Sequence, residues 1–241
     1  MHPARSWGRA LRDFAPVAAV LALCPVVAAF APDPTVPLAH IRALVDAERS
    51  LGLLIEPSMY RWVAARPPLL LDGQIAYVAA HIPVLVAVLV WVWFARPAAF
   101  RLARDAVVAT QAIAVLGYVL VPTAPPRMLA GLGYGDVASL GTRGIERLLM
   151  SPYAAMPSVH AAVALIVGGT VFRLARPWPV RALAVLYPFA VVAETMATGN
   201  HLWLDALGGA VTAVAGYAAA RALRRAPRYR SNVTVPVQPN S

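Results

Sequence analysis

The sequence predicts an all-α integral membrane protein, a six-transmembrane-helix bundle with an amphipathic outer-surface helix after the first span. Three observations carry this. The 241-residue chain is 60% hydrophobic and only 13% charged, with a mean hydropathy of +0.64; a soluble domain is about half apolar and about a quarter charged. Six apolar runs stand out, at residues 14–31, 75–94, 106–121, 154–172, 182–198 and 202–220. The arginines are distributed unevenly between the segments that join those runs. A span needs about 20 apolar residues, so the length suits one membrane-embedded domain over residues 1–225, with 226–241 as a polar, disordered cytoplasmic tail.

Helices are the expected spanning form because they pair every backbone group internally. A membrane strand would alternate apolar and polar residues, which these runs do not. The first run follows Arg5, Arg9 and Arg12 and precedes small residues, features it shares with a secretory signal; an uncleaved span is the preferred reading. After it, residues 37–56 carry Leu38, Ile41, Leu44, Val45 and Leu51 with charges between them, which predicts an amphipathic helix lying on the outer surface. The single cysteine, Cys24, excludes an internal disulfide and a thiolate metal cluster. No internal repeat is present.

Charge sets the orientation. The N-terminus, the second–third and fourth–fifth connections and the C-terminus together hold 14 arginines against Asp13 and Asp105, whereas the other side holds seven arginines and seven acids. The arginine-rich side is cytoplasmic by the positive-inside rule, with both termini inside. The net charge of +10 is therefore topological and does not indicate nucleic-acid binding.

Three segments then bring unusual polar residues to the outer ends of the spans. The third span ends in Pro-Thr-Ala-Pro-Pro-Arg, closing on Arg127. The fourth opens with Met-Pro-Ser-Val-His, containing Ser158 and His160. The fifth–sixth connection reads Thr-Gly-Asn-His-Leu-Trp-Leu-Asp, containing Asn200, His201 and Asp205. Ionisable groups at membrane depth are costly and point to function. His201 and Asp205 are four apart, on one helix face, so the carboxylate can orient the ring and leave the other nitrogen nucleophilic. His160 can act as general acid. Pro157 and Ser158 fit a helix start, whose free amides favour a phosphate, and Arg127 can clamp phosphoryl oxygens. His81, in the second span, is a candidate lining residue. Glu194, one turn before Thr198, is a candidate supporting partner. His2 and His40 read as solvated. Taken singly, each motif has a structural reading as a helix start, an interfacial arginine or a capped helix end. Together on one membrane face they point to chemistry.

These residues resemble the type-2 phosphatidic acid phosphatase superfamily of membrane enzymes. The three segments, with Glu48-Arg-Ser-Leu-Gly52, Glu56-Pro57 and His81-Ile-Pro83, are similar to a bacterial branch related to fungal inositol phosphorylceramide synthases. The likeness covers roughly residues 45–210. The resemblance points to a bacterial membrane enzyme, and the arginine count makes it a multi-pass protein of the plasma membrane with the three segments, and so the active site, on the extracytoplasmic face. The likeness implies that His201 attacks phosphorus to form a phosphohistidine, Asp205 orients it, His160 protonates the departing alkoxide and Arg127 binds phosphate. Ser158, Asn200 and His81 are further substrate-binding candidates from their own positions in the chain. The substrate would be a membrane phospholipid and the acceptor a lipid, a polyol or water, with no cofactor and no metal. Inositol-phosphate transfer between lipids and simple lipid-phosphate hydrolysis are the two leading activities. Two departures stand out. The superfamily's lysine has no counterpart in a chain without lysine, and Glu194 and Thr195 stand where Ser-Arg is usual; Arg143 or Arg147 would be the substitute cations.

Three rival readings use the same residues. A metal-dependent hydrolase would ligate zinc through His160, His201 and Asp205. A serine protease would activate Ser158 by His201, though no Gly-x-Ser-x-Gly element surrounds it. A lipid carrier would grip a head group without turnover.

Overall fold

A computed structural model describes residues 7–29, 33–135 and 152–225. The predicted tail, His2, Arg143 and Arg147 lie outside the described residues. Among these residues the chain is helical and forms no strand. Nine α-helices follow in order: α1 Trp7–Ala29, α2 Thr35–Ser50, α3 Glu56–Ala64, α4 Pro67–Ala79, α5 His81–Ala95, α6 Pro97–Leu120, α7 Val159–Leu174, α8 Trp178–Ala197 and α9 Trp203–Arg225.

Three of them, α6, α8 and α9, are long and apolar enough to cross a membrane. The run at 75–94, read as one span, is two helices: α4 and α5 meet at Ala80 with a 49° bend. Pro83 accounts for the break, since it has no N–H for the carbonyl of Ala79 and its ring would collide with that carbonyl in a continuous helix. The fourth run yields α7, an apolar helix of 16 residues that starts at Val159 rather than at residue 154. Helix α1 begins seven residues before the apolar run at 14, because Arg9, Arg12 and Asp13 join its first turns.

The packing is apolar on both faces, sorted by size. Helix α9 exposes Leu207, Val211 and Val214 and buries Gly209, Thr212, Ala213, Gly216 and Ala220. Helix α8 likewise exposes Leu183, Leu186 and Phe189. Large residues outside and small ones at the seams is the pattern of helices that associate by close approach in lipid. A Cβ on Gly216 would collide with Thr110 of α6, and one on Gly168 would collide with the Ala184 carbonyl of α8, beside Pro188. The main core joins Val17 of α1, Leu85, Leu89 and Val92 of α5, Phe100 and Val107 of α6 and Val163 and Val167 of α7. A second, smaller cluster joins Ile41 and Val45 of α2 to Ala124 and Leu202.

Helix α2 ends at Ser50, short of the expected residue 56, because Gly52 adopts φ 68°. Leu53 N–H donates to the Glu48 carbonyl at 2.9 Å and Gly52 N–H to the Arg49 carbonyl at 3.1 Å, the paired bonds of a Schellman stop. The buried face of α2 is Pro37, Ile41, Val45 and Glu48. Leu51, read as part of the apolar face, is exposed, and Glu48, read among the intervening charges, is fully buried. His40, read as solvated, is half-buried, with Nδ1 at 2.7 Å from the Pro122 carbonyl oxygen. The proline-rich segment that follows α6 leaves carbonyls without helical partners, and His40 meets one of them.

Candidate active site

Helix α6 stops at Leu120 because Pro122 disfavours a helical residue before it. The next residues pair with the entry to α7. Thr123 and Ala154 form an isolated parallel bridge, with Thr123 N–H donating to Tyr153 O at 2.9 Å and Ala155 N–H to Thr123 O at 3.1 Å. A 3-10 turn over Pro126–Met128 follows, and Arg127 N–H donates to Gly199 O at 3.1 Å. The Met156–Pro157 peptide is cis, and Tyr118 Oη donates to Pro157 O at 3.1 Å. Ser158 caps α7, its Oγ accepting from Ala161 N–H at 3.3 Å, while Ser158 N–H donates to Asp205 O at 3.0 Å. Gly209 makes this docking possible, since a Cβ there would collide with the Ser158 carbonyl. Backbone bonds thus tie all three sequence motifs together at one end of the bundle.

Helix α8 stops at its own Schellman motif. Gly199 has φ 72°, its N–H donates to Met196 O at 3.0 Å, and Asn200 N–H donates to Thr195 O at 2.9 Å. Glycine is required twice over at this position. An L side chain there is strained, and an added Cβ would stand 2.8 Å from the Tyr134 ring. His201 follows within two residues, and Leu202, wholly buried, anchors the loop in the second core cluster.

The imidazoles converge. His160 and His201 are 4% and 2% exposed, with ring centroids 5.8 Å apart. Tyr77 of α4 stacks on His160 at 4.2 Å, and the His81 ring lies 4.6 Å from it. His160 also hydrogen-bonds the backbone of Tyr77. Nδ1 of His81, Nδ1 of His160 and both ring nitrogens of His201 are buried without a hydrogen-bond partner. Buried polar atoms are ordinarily satisfied, so four such nitrogens in one cluster are the mark of a place where a ligand completes the bonding.

Asp205 lies beside His201, with Oδ2 3.6 Å from His201 Nδ1, longer than a hydrogen bond. That oxygen is engaged by Leu202 N–H at 2.8 Å. With Leu202 as N-cap, Asp205 is the third helical residue reaching back to the cap amide, half of a capping box. Asn200, 4% exposed, donates from Nδ2 to Thr198 Oγ1 at 2.7 Å. Thr198 Oγ1 in turn donates to the Glu194 carbonyl at 2.9 Å, and the Glu194 side chain lines a cavity of about 580 Å³ with Met59, Trp62, Leu69, Gly73 and Ala197. Arg127 is half-buried and is tied in through its backbone, which bonds Gly199, two residues before His201 in the chain.

The structure adds four residues to this neighbourhood that sequence reasoning did not place there. Tyr77 lies four positions before His81, a spacing that offered a signal. Glu48 and Glu56, both fully buried, bond the first turn of α9: Leu204 N–H donates to Glu48 Oε1 at 2.7 Å and Trp203 N–H to Glu56 Oε1 at 2.8 Å. Their place in the two short segments quoted for the family resemblance was the available hint. Burial first, then the nearby Glu56 and Asp205 carboxyls, push Glu48 up to about 8 against the pull of the Leu204 amide. Tyr134, packed on Gly199, is likewise held protonated above its usual range by burial and by both glutamates. Among the described residues no three His, Cys, Asp or Glu side chains stand where they could hold a metal ion, so the zinc set weighed from the sequence is not assembled.

Comparison with known families matches a family model described as the PAP2 superfamily over residues 42–219. That stretch runs from within α2 to within α9 and contains every residue of the cluster. No curated protein and no solved structure matches the chain. With its helices fit to cross a membrane and its family match spanning most of its length, the chain belongs to the PAP2 superfamily, whose members are phosphatases acting on lipid phosphates.

Proposed function

We propose that this protein is a membrane lipid phosphotransferase or phosphatase that works on a phospholipid head group through a phosphohistidine on His201. The observation that carries the reading is the convergence of two buried imidazoles, His160 and His201, whose rings lie 5.8 Å apart with unpartnered nitrogens, beside a capped helix start. One phosphorus atom can sit between them.

In the first half-reaction Nε2 of His201 attacks phosphorus. The N–P bond forms, the P–O bond to the lipid alkoxide breaks, and His160 delivers its proton to that oxygen. Asp205 stabilises the cationic ring. The amides at the start of α7, ordered by Ser158, and the Arg127 guanidinium bear the phosphoryl charge; Asn200 fixes the loop and His81 borders the pocket. In the second half His160 takes a proton from water or an alcohol, whose oxygen displaces His201. The family likeness favours an alcohol acceptor and transfer of inositol phosphate between lipids. Helices α1, α4–α5, α6, α7, α8 and α9 are the six spans of this reading. The arginine-rich ends are cytoplasmic and the imidazole cluster faces outward, in the plasma membrane of a bacterium.

Purified protein offered a panel of phospholipids, with and without inositol, tests this by mass spectrometry of free phosphate and of transferred head group. His201→Ala is expected to lower turnover by at least about 10³-fold, since the nucleophile itself is lost, and rapid quench of the wild type should trap acid-labile phosphohistidine. Full activity in His201→Ala overturns the mechanism.

A further inference from the structure

Glu48 and Glu56 come from helices outside the proposed chemistry, yet both end on α9. Each is fully buried, and neither has an arginine partner among the described residues. Their Oε1 atoms take the amides of Leu204 and Trp203, and Asp205 Oδ2 takes that of Leu202. Three successive amides at the start of one helix are therefore each held by a different carboxyl.

The charge does not balance if all three are ionised. A helix N-terminus carries about half a positive charge, so three carboxylates would leave more than two negative charges buried, and one must be neutral. The Oε2 atoms of both glutamates have no donor in the surrounding protein, and the two side chains lie within reach of a mutual hydrogen bond. A proton on Glu48 Oε2, donated to Glu56 Oε2, supplies the missing donor and removes one charge.

Geometry holds the pair in place from both sides. The Schellman stop at Gly52 uses the carbonyl of Glu48 itself and turns the chain towards Glu56. Ile41 and Val45, on the same face of α2 as Glu48, pack on Leu202, the residue that follows His201 and caps α9.

We propose that Glu48 and Glu56 are a proton-sharing pair of positioning residues that clamps the first turn of α9 and thereby holds His201 and Asp205 in place for phosphoryl transfer. The transfer half of this statement rests on the phosphohistidine reading above; the clamp does not. The groups facing Glu48 are Glu56 of α3, Asp205 of α9 and Tyr134 of the loop after α6, the last with Tyr60 and Arg61 beside it. As pH rises through about 8 the shared proton leaves, two buried carboxylates repel, and the clamp loosens. Activity is thus retained below that pH and lost above it.

Two readings of the same variants test this. Hydrogen exchange of peptides covering residues 200–207 reads the clamp without any substrate; kcat, KM and the pH profile read its effect on the reaction. Glu48→Ala is expected to speed exchange of the Trp203 and Leu204 amides about tenfold. It should also lower kcat about 10²-fold, the scale of an ångström-sized misplacement, with little change in KM. Glu48→Gln mimics the protonated acid, so it should keep slow exchange, keep kcat at pH 7 within about threefold, and lose the alkaline fall near pH 8 that the wild type shows. Unchanged exchange in Glu48→Ala overturns the clamp. An alkaline limb in Glu48→Gln identical to the wild type overturns the shared proton. If Glu48→Ala does not fold, Glu48→Gln alone decides through that limb. A wild type inert towards every phospholipid overturns the phosphohistidine reading and with it the positioning role in transfer, while exchange still decides the clamp.

Discussion

The two ends of the bundle handle negative charge in opposite ways. Away from the imidazole cluster, Asp13 and Asp105 are met by arginines: Arg104 reaches Asp13 at 3.6 Å and Asp105 at 2.7 Å, and Arg224 reaches Asp105 at 3.3 Å. Those side chains remain 17% to 31% exposed. At the cluster, Glu48, Glu56 and Asp205 are wholly buried and are met by backbone amides instead. The contrast teaches what each end needs. Partly exposed ion pairs tie helices loosely and share their charge with water. Amides at a helix start hold a carboxyl at fixed geometry, with no arginine paired to it among the described residues.

The comparison is broken most severely at Asp205. Asp205→Asn keeps an oxygen for the Leu202 amide but removes the charge beside His201, so kcat should fall about 10²–10⁴-fold, the scale for losing an orienting carboxylate, while thermal stability in detergent stays near wild type. An equal loss of both would mean that Asp205 is only a cap. Next comes Gly199→Ala, which places a Cβ 2.8 Å from Tyr134 at a backbone of φ 72°. Left-handed strain plus overpacking should cost about 2–3 kcal/mol, read as a lowered melting temperature, and kcat should fall about tenfold or more as His201 shifts. The smallest effect belongs to the opposite end. Arg104→Gln removes a partly exposed pair network and should cost at most about 1 kcal/mol with no change in kcat. A large kinetic effect there would erase the distinction between the two ends.

Much of the cluster was legible before any coordinates. Pro122 to Arg127, Met156 to His160 and Thr198 to Asp205 are polar or helix-breaking interruptions in an apolar chain, and such interruptions survive in a membrane domain only where other protein satisfies them. That logic drew His160, His201 and Asp205 into one region; what it did not reveal is that Asp205 Oδ2, 3.6 Å from His201 Nδ1, also takes the Leu202 amide. The break at Ala80 was also readable, in Pro83, but hydropathy averages over a single residue and hid it. Glu48 was not readable in this way. Periodicity on α2 sorts residues by polarity, so a glutamate goes to the wet face; its position in line with Pro37, Ile41 and Val45 becomes intelligible only once a helix start is found opposite it. The same limit applies to His40, whose partner is a proline-segment carbonyl remote in sequence.

The sorting of side chains on α9 has a practical consequence. Its outer stripe of Leu207, Val211 and Val214 makes no contribution to the seam formed by Gly209, Thr212 and Gly216 against α6 and α7. The stripe is thus a replaceable coat. Recoating it with glutamate and arginine, together with the exposed apolar residues of the other helices, such as Leu183, Leu186 and Phe189 of α8, Val86, Val90 and Phe94 of α5 and Leu116, Val119 and Leu120 of α6, would leave the seams that align the imidazoles untouched and offers a route to a version of this protein that dissolves without detergent.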